Sequence, residues 1–577
     1  MVSADCPPTM SLDLRNTNTV WSSVLVETLV QLGLELAVIC PGSRSAPLAI
    51  ALVQHPQLET LTLLDERSAA FFALGHARRR HRPVLLVCTS GTAGANFYPA
   101  VIEARESGVP LIVITADRPA ELRHCHAGQT IDQLKLFGTY PSWQAELPHP
   151  DASLSLLASL RQSVVRAWER SQYPQPGPVH LNQPLREPLA PHPEAELSDF
   201  SLPETFCRVA PSQQPRASLV APPIWSQQPR GLIVVGLTQP SDPEAFTMAV
   251  RELARHYGWP ILADALNPLR HRLGHEPWLI CGYDLILRSP AQAAGLAPEV
   301  VVQIGELPTS KQLRQCLSEW DCPRWIVAPG SEDWDPLQGQ PQRLSVAVTD
   351  LVPGPAASPD PDWEDLWEAA EQRAQSLISH NLEAALAEPN LYRPLADWLP
   401  VGTPIFVSNS TPIRDTEWFW QPSQRHYDWY FNRGANGIDG ITSTAMGMAW
   451  GDRPSLLITG DLAFLHDTNA LLLAHRFRGS LTVLLIDNGG GGIFELLPVR
   501  QCDDVPFEEC FGTPQHVDWP QLLSSYGVRY QSPESLDDLQ AALRHLPAAG
   551  VQVLHIRCDR RRAAAGRQAL FIAAAQA

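Results

Sequence analysis

Two apolar runs that each stop at a carboxylate constrain this chain more than any other stretch. Leu456-Leu457-Ile458-Thr459 ends at Gly460-Asp461-Leu462, and Leu481 to Ile486 (LTVLLI) ends at Asp487-Asn488 and four glycines, Gly489 to Gly492. Short apolar runs bounded by turn residues predict buried parallel strands. Between them, Thr468 to Arg478 (TNALLLAHRFR) predicts a helix. The unit thus carries Asp461 and Asn488 at the C-terminal ends of successive strands. Oxygen donors at such an edge suit a hard divalent cation together with a ligand's phosphates. The glycines let the backbone approach a bulky ligand.

The same strand–turn–helix logic recurs at the other end of the chain. Glu35 to Cys40 predicts a strand running into Pro41-Gly42-Ser43-Arg44-Ser45, where backbone N–H groups, hydroxyls and Arg44 could hold a carboxylate. A plain strand-to-helix turn with a solvated arginine fits the spacing equally well. Leu61 to Leu64 leads to Asp65-Glu66 at a helix start, and Val84 to Cys88 leads to Thr89-Ser90-Gly91-Thr92-Ala93-Gly94. Neither this turn nor Gly231 to Gly236 carries GxGxxG, so neither is assigned a dinucleotide. In the middle of the chain Gly305 to Lys311 (GELPTSK) delivers a lysine at a strand end. Pro404 to Ser410 predicts a strand with Arg414 one helical turn on, and Asn432 to Gly440 (NRGANGIDG) a loop dense in contact-making residues.

A chain of 577 residues with 44% hydrophobic and 18% charged residues has core enough for three domains. A net charge of −18 without basic runs argues against nucleic-acid or membrane-surface partners. An anionic substrate must therefore be met by locally placed cations. The eleven cysteines are scattered, which predicts buried thiols in a reducing compartment. His124-Cys125-His126 lacks further flanking ligands. With no basic-then-apolar leader and no run of membrane-spanning length, a soluble cytoplasmic protein is expected.

Gly460-Asp461 closing at Asn488 resembles the motif by which thiamin-diphosphate-dependent enzymes hold their cofactor's diphosphate. In that family the aspartate, the asparagine and a carbonyl two residues further (Asp461, Asn488 and Gly490 here) bind Mg²⁺ or Mn²⁺. Glu66 matches the glutamate that hydrogen-bonds the aminopyrimidine N1′. The ordered set CPGSRSAPL, LDERSAAFFALG, TSGTAGANFYPA, TADRP, SNSTPIRD, NRGANGIDG, GDLAFLHDTNALL and GGGIFELLP resembles one branch of the family. That branch joins 2-oxoglutarate to isochorismate with loss of CO2, on the way to menaquinone or phylloquinone.

The resemblance implies an α/β fold of three domains, each a parallel sheet flanked by helices. These would be a pyrimidine-binding domain (12–190), a Pro-rich linker (191–229), a Rossmann-like middle domain (230–352), a linker and connecting helix (353–380) and a diphosphate-binding domain (381–577). It implies cofactor contacts from Glu66, Ser90, Gly91, Ile438, Gly460, Asp461, Leu462, Asn488, Gly490, Ile493 and Phe494, with Ile438 beneath the bent cofactor. For substrates it implies Arg414 and Arg433 on 2-oxoglutarate, Arg44, Arg118, Gln129 and Lys311 on isochorismate, and Ser43, Ser410 and Leu497 beside them. A homodimer with active sites at its interface, or a homotetramer, is implied as well. Gly128 and Gln312 stand where some members carry Asn and Arg. Another carboligase, such as an acetolactate synthase, would share Glu66, Asp461 and Asn488, but the arginine set and the missing paired-histidine motif of the simple decarboxylases count against it. A non-catalytic cofactor-binding protein would have no need of the intact trio.

Overall fold

The computed structural model describes residues 12–209, 218–330, 332–356, 358–382 and 386–577. Three six-stranded sheets of parallel strand pairs lie within them. The first holds β1 (Leu36–Ile39), β2 (Glu59–Thr62), β3 (Val84–Cys88), β4 (Leu111–Asp117), β5 (Trp143–Glu146) and β6 (Pro178–Pro184), in the order β2-β1-β3-β4-β6-β5. A short strand β7 (Leu219–Val220) precedes the second sheet, made of β8 (Gly231–Val235), β9 (Ile261–Ala263), β10 (Leu279–Ile280), β11 (Val300–Ile304), β12 (Arg324–Val327) and β13 (Gln342–Leu344). Its order is β10-β9-β8-β11-β12-β13, and β14 (Leu351–Val352) pairs with β7. The third sheet holds β15 (Pro404–Val407), β16 (Asp428–Tyr430), β17 (Ser455–Gly460), β18 (Ser480–Asp487), β19 (Arg529–Gln531) and β20 (Gly550–Arg557), ordered β16-β15-β17-β18-β20-β19.

Parallel strands need long crossovers, and helices making them cover both faces of a sheet. Every residue of β3, β4, β8 and β11 is accordingly buried, which is why these segments read as unbroken apolar runs. In open sheets of this kind ligands bind beyond the C-terminal strand ends where the strand order reverses. The reversal falls between β1 and β3 in the first sheet, and between β15 and β17 in the third. Those strands lead into Pro41–Ser45, Thr89–Gly91, Ser408–Ser410 and Asp461. The second sheet reverses between β8 and β11, but there a Cβ at Gly236 would overlap the Glu306 carbonyl, so the chain itself fills the crevice.

The chain divides into two compact units. One comprises Met1–Gln214, Asn432–Trp450 and His466–Arg476; the other comprises Pro215–Phe431, Gly451–Leu465 and Phe477–Ala577. In the first, the helices Glu66–Arg80 and Ile441–Ala449 meet backbone to backbone. A Cβ at Gly75 would overlap the Thr444 carbonyl, and one at Gly447 the Phe72 carbonyl. In the second, one apolar core runs from Leu232 and Leu262 through Trp363 and Trp367 of the helix Trp363–Asn381 to Ile405, Leu456 and Ile556.

One expectation needs correction and another is made more specific. The described residues of 191–229, expected to be a linker outside any core, do pack: Cys207 lies in the core of the first unit and Trp225 in that of the second. Prolines keep such a segment out of long α-helices, yet its short turns still seat apolar side chains, as the 3₁₀ helix Pro223–Gln227 seats Trp225. Thr468 to Arg478, expected as a helix, is helical over Thr468–Arg476, in the 3₁₀ form, with Ala470 and Leu473 buried. At three residues per turn these two side chains eclipse. Over so short a run, apolar spacing does not separate the two helix types.

Candidate active site

The register of β17 on β18 builds the carboxylate–amide pair. Gly460 is opposite Ile486, so Asp461, opening the helix Asp461–His466, comes beside Asp487, with Asn488 next in the chain. Asp487 is tied back into the fold by His555 Nε2 (3.0 Å), Trp519 Nε1 (2.9 Å) and the Gly489 N–H (3.2 Å). Burial works against the Asp487 carboxylate, but the His555 and Trp519 bonds still hold its carboxyl below the usual range. Asp461 is compensated only in part, by the backbone N–H groups of Leu462 and Gly490: burial, then the Asp487 charge, pushes its carboxyl up to about 7. Asn488, 7% exposed, donates Nδ2 to Glu388 Oε2 (3.1 Å), while its buried Oδ1 has no hydrogen-bond partner. A buried carboxylate short of positive charge and a buried amide oxygen short of a donor are both satisfied by one cation with oxygen ligands. Among the described residues no cluster of three His, Cys, Asp or Glu offers a rival metal site.

The glycine run has a nearer purpose than ligand approach. A Cβ at Gly490 (φ +124°) would overlap the Gly512 carbonyl, and one at Gly491 the Phe511 carbonyl; the Gly491 N–H donates to Gly512 O at 2.7 Å. Gly492 leaves room for the Asn488 amide, since a Cβ there would sit 2.7 Å from Nδ2. Arg560 then pins the loop through the Gly489 carbonyl (2.5 Å) and Glu495 (3.0 Å). At Gly460, by contrast, a Cβ would come no nearer than 4.0 Å to the Ile486 carbonyl, so open space lies over that strand end. Gly490→Ala should therefore cost about 1–3 kcal/mol from backbone strain alone and displace the loop from Gly512. Thermal unfolding checks this, and parental melting would refute it.

The second unit also holds a cavity of about 250 Å³ lined by Lys311, Arg414, Ile493 and Leu497, with Asp284, Arg288, Glu417 and Phe571. Both acids are already engaged: Asp284 by Arg288 (2.8 Å) and Ser310 Oγ (2.6 Å), Glu417 by Arg270 (3.0 Å) and Tyr283. Lys311, exposed at the start of the helix Lys311–Glu319, is in no ion pair among the described residues. Arg414, whose guanidinium pKa burial pushes down, donates to the Ser410 carbonyl at 2.6 Å. Ser410 itself sits at φ +72°, a strained conformation for a residue with a side chain. The cavity is therefore left with uncompensated positive charge from Lys311 and Arg414. Sequence reading assigned these two to different substrates, and the structure gathers them in one cavity. Phe494 packs instead on Phe511, with ring centroids 5.3 Å apart. Leu462, half-buried, follows Asp461 in the helix Asp461–His466.

The first unit gathers a second cationic set. Gly42 packs so tightly on Thr89 that a Cβ would overlap its side chain, which brings the turn carrying Ser43 and Arg44 beside Ser90 and Gly91. Ser43 is exposed there. Ser90 and Gln129 are joined twice, Oγ to the Gln129 carbonyl (3.1 Å) and Gln129 Nε2 to the Ser90 carbonyl (3.0 Å), and Arg118 donates to Ser90 Oγ. Arg44 donates to Leu185 O (3.0 Å) and faces Glu187 at 3.4 Å, while its Nε is buried without a partner. Burial, then the Arg44 charge, lowers the Arg118 pKa. Glu66 opens the helix Glu66–Arg80, and its charge, after burial, raises the Cys88 thiol at the end of β3. Arg433 and Ile438 belong to this unit as well, on a loop that Glu103 holds through the Gly434 and Ala435 N–H groups (3.0 and 2.7 Å).

Sequence reasoning missed Glu103, Gln133 and Glu388. Glu103 is a buried acid on the helix Tyr98–Glu106, where Arg105 and Glu106 follow closely, so the sequence did not set it apart from a solvated charge. Gln133 accepts from the Gly91 N–H (2.9 Å) and donates to Asn182 (2.9 Å), which fixes the Ser90–Gly91 turn. No local pattern announces it.

With both sites described, comparison with known proteins adds the class. The chain matches the N-terminal binding domain of thiamine pyrophosphate enzymes over residues 20–136, their middle domain over 206–407 and their C-terminal binding domain over 416–556. It is superposable, at a TM-score of 0.65 and 17% identity, on an X-ray structure of an enzyme ascribed to the thiamin-diphosphate class from Mycobacterium smegmatis, covering 93% of this chain and 99% of that one. The chain belongs to the thiamin-diphosphate-dependent enzymes. Relatives named 2-succinyl-5-enolpyruvyl-6-hydroxy-3-cyclohexene-1-carboxylate synthase are 53% identical in Synechococcus elongatus (98% of this chain, 97% of the relative) and 51% identical in Microcystis aeruginosa (96% and 98%). A third, from Acaryochloris marina, is 48% identical (95% and 97%). Within the class, the chain is a member of that synthase family.

Proposed function

We propose that this protein joins 2-oxoglutarate to isochorismate with release of CO2, forming 2-succinyl-5-enolpyruvyl-6-hydroxy-3-cyclohexene-1-carboxylate for menaquinone or phylloquinone synthesis. The observation that carries the reading is the cavity where Lys311 and Arg414 remain uncompensated while both neighbouring acids are already paired. Two substrates rich in carboxylates need such charge in an otherwise acidic protein.

Thiamin diphosphate, when bound, supplies a thiazolium ring that accepts the electron pair left by decarboxylation of a 2-oxo acid. Asp461, Asn488 and the Gly490 carbonyl hold Mg²⁺ or Mn²⁺ against its diphosphate. Glu66 shares a proton with the aminopyrimidine N1′, and Ile438, Ser90, Gly91, Gly460 and Leu462 shape the cofactor's bed. Arg414 and Arg433 bind 2-oxoglutarate; Arg44, Arg118, Gln129 and Lys311 bind isochorismate. Ser43 and Ser410 add hydrogen bonds, and Ile493, Phe494 and Leu497 exclude water from the reacting carbon. The working protein is a cytoplasmic homodimer, or a pair of such dimers, with active sites at the subunit interface. No helix among the described residues is long and apolar enough to cross a membrane.

Single-turnover CO2 release in the absence of isochorismate separates the two half-reactions. Arg414→Ala should slow it about 10- to 100-fold, the loss of one charge-assisted contact of about 1.5–3 kcal/mol. Arg44→Ala should leave CO2 release near parental and damage only the isochorismate step. Equal damage by both variants would refute this division of the substrates. Turnover without isochorismate would refute the reaction itself.

A further inference from the structure

We propose that Glu388 is the positioning residue that decides which atom of Asn488 faces the cation, with Arg567 as its anchor. The inference rests on reading Asp461 and Asn488 as the cation site. An asparagine amide presents an oxygen on one side and an NH2 on the other at nearly equal size. A cation accepts only the oxygen, so something must set the orientation. An ionised carboxylate is an acceptor without a donor, and Glu388 Oε2 lies 3.1 Å from Asn488 Nδ2. That contact commits the NH2 to Glu388 and leaves Oδ1, buried and unpartnered, for the other side.

Glu388 is only 1% exposed, in the first turn of the helix Glu388–Trp398, so its charge needs an internal partner. Arg567 of the helix Arg560–Gln576 supplies one, 3.2 Å away and equally buried. The same guanidinium bonds Asp415 through Nε at 2.7 Å, next in the chain to Arg414. One buried arginine therefore ties the amide that meets the cation to the helix that carries a substrate-binding arginine. Gly492 completes the arrangement by leaving the Nδ2 side clear.

The test is Mg²⁺ affinity at saturating thiamin diphosphate, read by intrinsic tryptophan fluorescence and by the cation-dependent rise in Tm, without substrates. Glu388→Gln keeps the volume, and Arg567 keeps Asp415, so the variant folds. Its amide can face Asn488 in either sense, and the affinity should fall about 10-fold, in the range typical of outer-shell metal partners. Asn488→Asp sets two buried carboxylates together and should weaken binding further. In the double variant the glutamine NH2 can donate to the new carboxylate, so Mg²⁺ should bind more tightly than to Asn488→Asp alone. A merely structural Glu388 gives additive losses. Additive losses, or parental affinity in Glu388→Gln, overturn the inference while the cation site stands. A parent protein with no Mg²⁺-dependent response overturns the site, and the inference with it.

Discussion

Asp461→Ala is expected to abolish Mg²⁺-dependent binding of thiamin diphosphate while leaving a well-folded protein. Asp461 is 5% exposed and stands beside the Asp487 charge without a cation of its own. In the proposed ligand set it supplies the only negative charge; Asn488 and the Gly490 carbonyl are neutral. Outer-shell partners of metal ligands are already worth 10- to 100-fold in affinity, so loss of the charged ligand itself should cost at least about 100-fold. The cation-free variant should melt no lower than the parent, because the substitution removes a buried charge with no counter-ion. Ligand-induced stabilisation, however, should vanish. Titration of tryptophan fluorescence and thermal unfolding read the two effects separately. Parental affinity at ordinary Mg²⁺ would refute the assignment.

Glu66→Gln should keep the fold and lose about 10²- to 10⁴-fold in turnover, the range of a positioned proton-sharing group. The bland alternative is an acid serving the helix N-terminus, but Asp65 already performs that duty: it is the N-cap residue and accepts from the Ser68 N–H at 3.2 Å. An amide at position 66 retains hydrogen bonding but cannot stabilise a protonated N1′. Exchange of the bound cofactor's thiazolium C2 proton against deuterium isolates the effect from substrate binding. Exchange at the parental rate would return Glu66 to a structural role.

The strands that end at functional residues were legible in the sequence because burial on both faces writes them as continuous apolar runs. β3 and β11 lie where that pattern puts them, and β17 and β18 extend it by a residue or two. Asp461 and the Asp487-Asn488 pair were legible for the same reason, being the polar ends of such runs. The strand order was not, so nothing in the sequence placed the β1–β3 and β15–β17 reversals beneath Arg44 and Ser410. The strained backbone of Ser410 was invisible too, since a serine carries no mark of positive φ. Glu103, Gln133 and Glu388 act through partners far away in sequence, for instance 331 residues for Glu103 with Gly434. A local pattern cannot encode such a pairing.

The paired glycines Gly75 and Gly447 bear on how this chain could be recombined. The loop that carries Arg433 and Ile438 runs into a helix whose backbone is seated on the Glu66 helix, although by sequence it belongs with the C-terminal third. A chimaera cut at the apparent domain border would therefore import half of a fitted joint. Any larger residue at either glycine, coming from a different parent, would wedge the two helices apart and carry the loop off with them. Crossover points that respect this joint would keep residues 432–450 with the parent that supplies residues 66–80, against the order of the gene.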